Sequence, residues 1–445
     1  MDILRAVTAT LQQQLGTHLD QLPRRSGLVL RQRKFSGQSL LRMLVLTLLR
    51  KPEATTADFL ATALQDDLDV TATAVDKRLQ AGQPLTDFLR QALEQALQQT
   101  VAALPCAAQL VQHFTAVLVG DSSVIALPDS LADVFPGCGG TDKVSQAALK
   151  LQVLWDLKTG CLQQLHISAG KDSDAHGPIA LEQAAPGALL VYDLGYFDLE
   201  RFASLDRQQA PFLSRFKQGT TVYQTDGQAV DLAAYLRAQP TGLLDQMMLL
   251  GATLRLSCRL LAVRVPEEVA NRRRQQARTK ARDHGRAAPS AEYLELLGWS
   301  LFVTNASAPA LTWKAVVVLY RARWQIELLF KLWKAHNGLG RLRVGACALP
   351  VLAVFYAKLL GVLLQQWLLL ALVWHMPQRS LLRAAQHLRE WLTVVLWVLD
   401  DSPCLEKTLR RLQRLLQQLS GVKKRRKHPS HAQLLEDPEL LDWIA

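Results

Sequence analysis

Apolar and polar residues follow two different rules along this chain. Residues 1 to about 108 read as wholly helical. Gln38–Arg50 forms an apolar helix, Thr55-Thr56-Ala57-Asp58 opens a second by N-cap logic, and Val70–Leu79 supplies a third. With Thr71, Thr73, Lys77 and Arg78 exposed, these short helices fit a helix-turn-helix-like DNA module, and they fit an ordinary helical bundle as well. From residue 114 the grammar becomes that of strands. Phe114–Val119 is a continuous β-rich run ending in Gly120-Asp121-Ser122-Ser123. Leu149, Leu151, Val153, Trp155 and Leu157 alternate, turn at Lys158-Thr159-Gly160 and continue from Cys161 to Ser168, which predicts a hairpin. A helix over Ser173–Gln183 follows, then a strand at Ala188–Tyr192 ending in Asp193, then another at Pro211–Lys217. Acids at the tips of neighbouring buried strands converge on one sheet edge, where α/β folds bind ligands.

Between about 220 and 300 the pattern is β-rich but irregular. Leu254, Leu256, Cys258 and Leu260 alternate with polar residues, and Arg272–Arg286 then carries seven cations against Asp283 alone. Such a run is either a solvated face or an arm that tracks phosphates. Trp299–Asn305 returns to a buried strand. Next comes Tyr320–Lys334, a helix with no Gly or Pro. At about 100° per residue, Tyr320, Arg323, Glu327, Lys331 and Lys334 fall within about 80° of one another. Trp324, Leu328, Leu332 and their neighbours make the rest of the wheel apolar, so the charged stripe is narrower than a solvated face requires. One acid among three bases suits a cleft that holds a metal beside phosphates. A C-terminal helical part then runs to about 420, ahead of the basic tail Lys423–Lys427.

Composition narrows the classes. The 445 residues suggest about two to four domains, and 49% hydrophobic content excludes a disordered chain. A net charge of +12 favours a polyanionic partner. The six cysteines are scattered with no CxxC, so they read as reduced thiols of a cytoplasmic protein rather than zinc ligands or disulfides. The apolar stretch Ala348–Trp374 is long enough to span a membrane, but Lys358 and Gln365-Gln366 inside it favour a buried core helix.

Chemistry then centres on Asp121, Asp193 and Glu327, spaced 72 and 134 residues apart. Carboxylates hold Mg²⁺ while leaving water positions open, and two ions about 3.5–4 Å apart can activate a water and stabilise a leaving 3′-oxygen. Asp142, Asp156, Asp172 and Asp174 compete for membership from loop or mid-strand positions. The chain has no GxxxxGK[ST], GxSxG, HExxH or GxGxxG.

The spacing Tyr320-x2-Arg323-x3-Glu327-x6-Lys334 resembles the Tyr-Arg-Glu-Lys signature of DDE transposases of the insertion-sequence-four family. Gly120–Ser123, Tyr192-Asp193-Leu194-Gly195-Tyr196 and Trp299–Asn305 resemble that family's blocks in order, over roughly residues 110 to 340. The resemblance implies a multidomain α/β chain with an RNase H-like catalytic core interrupted by a β-rich insertion, flanked by helical N- and C-terminal parts. The expected divisions are a helical DNA-binding domain (1–108), the core's first part (109–219), the insertion (220–300), the core's second part (301–375) and a helical C-terminal region (376–445). It implies Asp121, Asp193 and Glu327 as catalytic metal ligands for Mg²⁺, two ions with Mn²⁺ able to substitute. Tyr320, Arg323 and Lys334 would bind phosphates near the element's end. Further candidate DNA contacts are Lys331, Trp299, Arg215, Lys217, Arg272, Arg273, Arg274, Lys77 and Arg78. The implied activity is cut-and-paste transposition. Terminal inverted repeats are bound, water and then the freed 3′-hydroxyl act as nucleophiles, and no covalent protein–DNA intermediate forms. The implied partners are double-stranded DNA and a second copy of the chain in a synaptic dimer, at the nucleoid and with no membrane. Two alternatives stay open: an RNase H-like structure-specific nuclease or resolvase, and a DNA-binding regulator whose acids are structural.

Overall fold

The computed structural model of the protein describes residues 3–16, 21–28, 34–99, 106, 108–139, 145–173, 184–342, 350–376, 378–422 and 431–441. Its first part is helical, as expected: α1 (Ile3–Gln14), α2 (Leu22–Arg25), α3 (Gly37–Arg50), α4 (Thr56–Gln65), α5 (Ala72–Leu79), α6 (Gln83–Leu97) and α7 (Gln109–Gln112). Helix starts follow side-chain capping. The Thr55 backbone N–H donates to Asp58 Oδ2 at 2.7 Å at the head of α4, and Thr71 accepts from Ala74 N at the head of α5.

The strands are β1 (Val117–Leu127), β2 (Ala147–Asp156), β3 (Leu162–Ala169), β4 (Leu189–Tyr192), β5 (Phe212–Arg215), β6 (Val222–Tyr223), β7 (Ala229–Val230), β8 (Leu243–Leu250), β9 (Leu256–Arg264) and β10 (Trp299–Thr304). They make one ten-stranded sheet in the order β3-β2-β1-β4-β5-β10-β9-β8-β6-β7. β1 pairs antiparallel with β2 and parallel with β4, and β4 pairs parallel with β5. That order and those directions are the RNase H-like core. The predicted hairpin turns at Gly160, whose φ of +76 puts it in the left-handed region, and a Cβ there would strike the Trp374 ring.

One expectation changes here. β1 does not stop at Asp121 but continues six residues further to Leu127, because β2 stays paired with it along that length. The strands expected as the insertion join the core sheet edge to edge. β10 pairs antiparallel with both β5 and β9, so the inserted strands lengthen the core sheet. α8 (Leu199–Arg207) follows β4 within the core, and the β-rich insertion also carries α9 (Leu232–Arg237), α10 (Glu267–Asp283) and α11 (Ala291–Leu296). Of the helix expected over 173–183, residues 174–183 lie outside the described residues.

Beyond β10 come α12 (Trp313–Ala322), α13 (Trp324–Lys331), a π-helical turn at Leu332–His336, α14 (Val351–Val373), α15 (Leu381–Trp397), α16 (Ser402–Leu419) and α17 (His431–Glu436). Strand alternation sorts the sheet's two faces. Val117, Val119, Leu189 and Val191 point into a core shared with the helical parts, while Leu118, Leu190 and Tyr192 point into a second core around the stacked rings of Phe202 and Phe212. α14 is the apolar stretch of the sequence. It lies buried among α1, α3, α6, α15 and α16, as the core-helix reading expects. Its one lysine is satisfied inside: Lys358 donates to the Gly338 carbonyl at 3.0 Å and to that of Arg341. Burial pulls the Lys358 ammonium down to about 8. Arg42 of α3 donates to Asp66 at 3.2 Å and to Asp400, after α15, at 2.6 and 2.8 Å, so both helical parts form one layer around α14.

Candidate active site

Parallel register brings the first two acids level. Val119 of β1 stands opposite Val191 of β4, and Asp121 and Asp193 each lie two residues further on. With a period of two, both acids leave the sheet on the face of those valines, the face that the α12–α13 segment covers. Glu327 arrives from α13. The three carboxylates converge on one guanidinium. Arg323 Nη2 donates to Glu327 Oε1 at 2.9 Å, Nη1 to Asp121 Oδ2 at 3.5 Å, and Nε lies 3.6 Å from Asp193 Oδ1 without forming a hydrogen bond.

The electrostatics follow from that convergence. Burial, opposed by the Ser122 N–H and by Arg323 and aided by the charges of Asp193 and Glu327, pushes the Asp121 carboxyl up to about 6. Burial would lower Arg323, but Asp193, Tyr320, Asp121 and Glu327 outweigh it and hold the guanidinium above its ordinary value. Burial and then Asp193 push the Tyr320 phenol up to about 12, so it stays protonated and donates to Asp193 Oδ1 at 3.4 Å.

The stripe is not one uniform helix. The α-helix breaks at Arg323 and underwinds after Lys331 into the π turn. That turn swings Lys334 onto β1, where it donates to Val124 O at 2.8 Å and Ser123 Oγ at 3.3 Å. Lys331 is exposed, and Arg215 lies over the Tyr320 ring at 5.7 Å. Lys217 is exposed two residues beyond. Trp299 was expected to meet DNA and does not face solvent: it is 5% exposed in β10 under the Arg264 guanidinium. In the basic run, Arg272 is exposed on α10, but Arg273 donates to the Trp299 carbonyl at 3.1 Å and Ser300 Oγ at 3.2 Å, and Arg274 to Leu294 O and Glu267. Arg273 ties α10 to β10, and Arg274 ties it to α11. Lys77 is exposed, whereas Arg78 donates to the Leu28 carbonyl and lies over Phe35. The rival acids are otherwise engaged: Asp156 caps the hairpin turn by accepting from Val117 N, Lys158 N and Thr159 Oγ1, and Asp172 accepts from Ala169 N. Asp142, Asp174 and the basic tail lie outside the described residues.

One feature of the site was not legible in the sequence. A cavity of about 1300 Å³ opens beside Asp193, between the α12–α13 segment and the start of α15. Leu194, Trp324, Leu328, Leu382 and Val422 line it and are 38–55% exposed. Trp324 and Leu328 are the residues that the helical wheel put on the packed side. They instead form an apolar rim, because nothing in the described structure covers that side of α13. Five exposed large apolar groups at one mouth are more than scattered surface residues supply.

Among the described residues no three carboxylate, histidine or cysteine side chains stand close enough to hold a metal ion as they are placed. The donor chemistry still fits one. Three hard oxygen donors surround a single cation, its Nε makes no hydrogen bond, and the guanidinium charge occupies the space the acids share.

The family model described as "Transposase DDE domain" matches residues 112–346, a span that includes all three acids. The chain is 27% identical over 342 residues to the transposase for insertion sequence element IS231F of Bacillus thuringiensis subsp. israelensis, covering 71% of this chain and 70% of that protein. It is 26% identical over 242 residues to the transposase for insertion sequence element IS1151 of Clostridium perfringens, covering 51% and 50%. A cryo-EM structure of the piggyBac transposase synaptic complex with hairpin DNA aligns over 97% of this chain and 88% of that one, at 11% identity and a TM-score of 0.47. The chain belongs to the DDE transposase family, enzymes that cut DNA and transfer its strands.

Proposed function

We propose that Asp121, Asp193 and Glu327 are the metal ligands of this transposase, that the metal is Mg²⁺, and that the DNA cut is the terminal inverted repeat of its own element. The observation that supports this reading is the convergence of three carboxylates from three separate elements on one guanidinium. When bound, the ions supply an activated water and stabilise the leaving 3′-oxygen. The protein's own part is to gather the acids on one sheet face, keep the Tyr320 phenol protonated beside Asp193, and hold Arg323 and Lys331 where phosphates approach. Thr71 at the head of α5 and Thr73 and Lys77 on it read the repeat, Arg272 on α10 follows the backbone, and two copies pair two ends.

Arg323 has two places to be. In the structure it neutralises the acids; on DNA it forks onto a phosphate, which a guanidinium does bidentately. Its departure frees the carboxylates for metal, so DNA docking and metal loading are coupled. Calorimetry with Mn²⁺ on Arg323→Ala tests this. Without DNA the variant binds metal more tightly than the parent chain, and its affinity for duplex DNA falls by roughly 10- to 100-fold, the loss of one charge-assisted contact. Weaker metal binding by Arg323→Ala in the absence of DNA sinks the exchange. No detectable metal binding by the parent chain, with or without DNA, sinks the assignment of the acids.

A further inference from the structure

We propose that the exposed face of α16 is a docking ridge for the phosphate backbone of duplex DNA beyond the segment held at the acids. It rests on the chain acting on DNA and not on the roles given above to individual acids. Leu405, Leu409, Leu412 and Leu416 bury one side of the helix. The other side carries Lys407, Arg410, Arg411 and Arg414, all exposed. These positions are three, four and seven apart, so they line one face about 10 Å long. Glu406 is the only acid on the helix, and it is drawn to Arg5 and Arg410, at 3.6 Å each. Among the described residues no acid pairs with Lys407, Arg411 or Arg414.

Folding does not ask for this arrangement. The leucines already fix the helix, and like charges three and four apart weaken it. A ridge of one sign held against that cost fits a polyanion, and the established substrate of the protein is one. The ridge is also rigidly joined to the mouth of the catalytic cavity. Ser380 N donates to Ser420 O at 2.7 Å, and Val422 N to Gln378 O at 2.7 Å, with Gln378, Ser380 and Val422 lining that cavity. A duplex docked on the ridge is therefore held at a fixed offset from that cavity. Its phosphates come from the element, from the flanking donor DNA or from a target duplex, all with the same chemistry.

The test replaces Lys407, Arg410, Arg411 and Arg414 with Gln in the full chain and leaves Lys423–Lys427 untouched. A companion variant converts the three arginines to Lys and keeps the charge. Fluorescence anisotropy across a salt series would use duplexes that end at the cleaved bond or extend about two turns past it, on the element side or the flanking side. A separate target duplex completes the set. The glutamine variant loses about 0.9 of log–log salt slope for each broken phosphate contact. It also loses the advantage of whichever extended duplex the ridge holds, while the lysine variant keeps both. Unchanged slopes on all duplexes overturn the proposal. So does a lysine variant as impaired as the glutamine one, or a glutamine variant that loses binding to phosphatidylglycerol vesicles and keeps binding to DNA.

Discussion

The segment from Tyr320 to Lys334 and the helix α10 are both rich in basic residues, and they place their charge in opposite surroundings. Arg323 lies among three carboxylates, and Lys334 is bound to a β1 carbonyl. On α10, Arg272, Arg278, Lys280 and Arg282 face water, while Arg273 and Arg274 turn inward onto backbone carbonyls. A cation near acids in a partly buried cleft acts over one bond length and depends on geometry. A cation on a solvated helix acts through the screened field and depends on salt. The same residue type thus meets fixed carboxylates in one place and only solvent in the other.

The largest effect separates these two uses. Glu327→Gln keeps the side chain's shape and removes one ligand charge, so metal-dependent nicking of a labelled terminal repeat should fall by about 10³-fold or more. Gel-shift affinity for the same DNA should hold or rise, since a negative charge near phosphates has gone. Near-normal nicking by this variant would reduce the acid cluster to a structural ion network.

Next in size is the α10 contrast. Converting Arg272, Arg278 and Lys280 to Gln should flatten the log–log salt dependence of DNA binding by up to about 3 units, roughly 0.9 per lost phosphate contact. The nicking rate at saturating DNA should not change. A variant that loses preference for its own ends while keeping the slope would show base readout where only backbone contact is expected.

A third test uses pH. Asp121, raised to about 6 by burial and its acidic neighbours, must lose its proton to bind a cation. Mn²⁺ affinity by calorimetry should therefore weaken below pH 6, by about tenfold per unit, and level off above it. Stability has the opposite sign. The folded chain holds this proton between 3.8 and about 6 when the unfolded chain does not, so Asp121 adds stability at low pH that is lost as pH rises through that window. Asp121→Asn should remove both dependences, and metal affinity flat with pH in the parent chain would exclude Asp121 as a ligand.

Smallest is Tyr320→Phe. Its phenol makes one 3.4 Å contact to Asp193, so its loss should lower nicking by no more than about tenfold. A loss as large as that of Glu327→Gln would make the phenol part of the chemistry.

Much of this was legible in the chain. Alternation from Leu149 to Leu157 with Gly160 behind it is the β2–β3 hairpin, the Thr55 capping pattern starts α4, and Asp193 ends its strand. These depend on residues close in sequence. The failures share a different cause. The helical wheel gave Trp324 and Leu328 to the core and the structure exposes both, while Trp299, expected to touch DNA, is buried in its strand. Nor does any local pattern in residues 1–108 show that α3 and α6 pack on α14 from the other end of the chain.

The sequence by itself determined the elements, the order of the acids and the 134-residue gap that the insertion fills, because periodicity, capping and spacing are local and survive without knowledge of the fold. Only the tertiary structure decided which face of α13 is covered. It also set the insertion edge to edge with the core sheet and put one arginine among three carboxylates from β1, the end of β4 and α13. Burial and charge pairing are made by residues brought together from far apart in sequence, and no local pattern encodes which neighbours those will be.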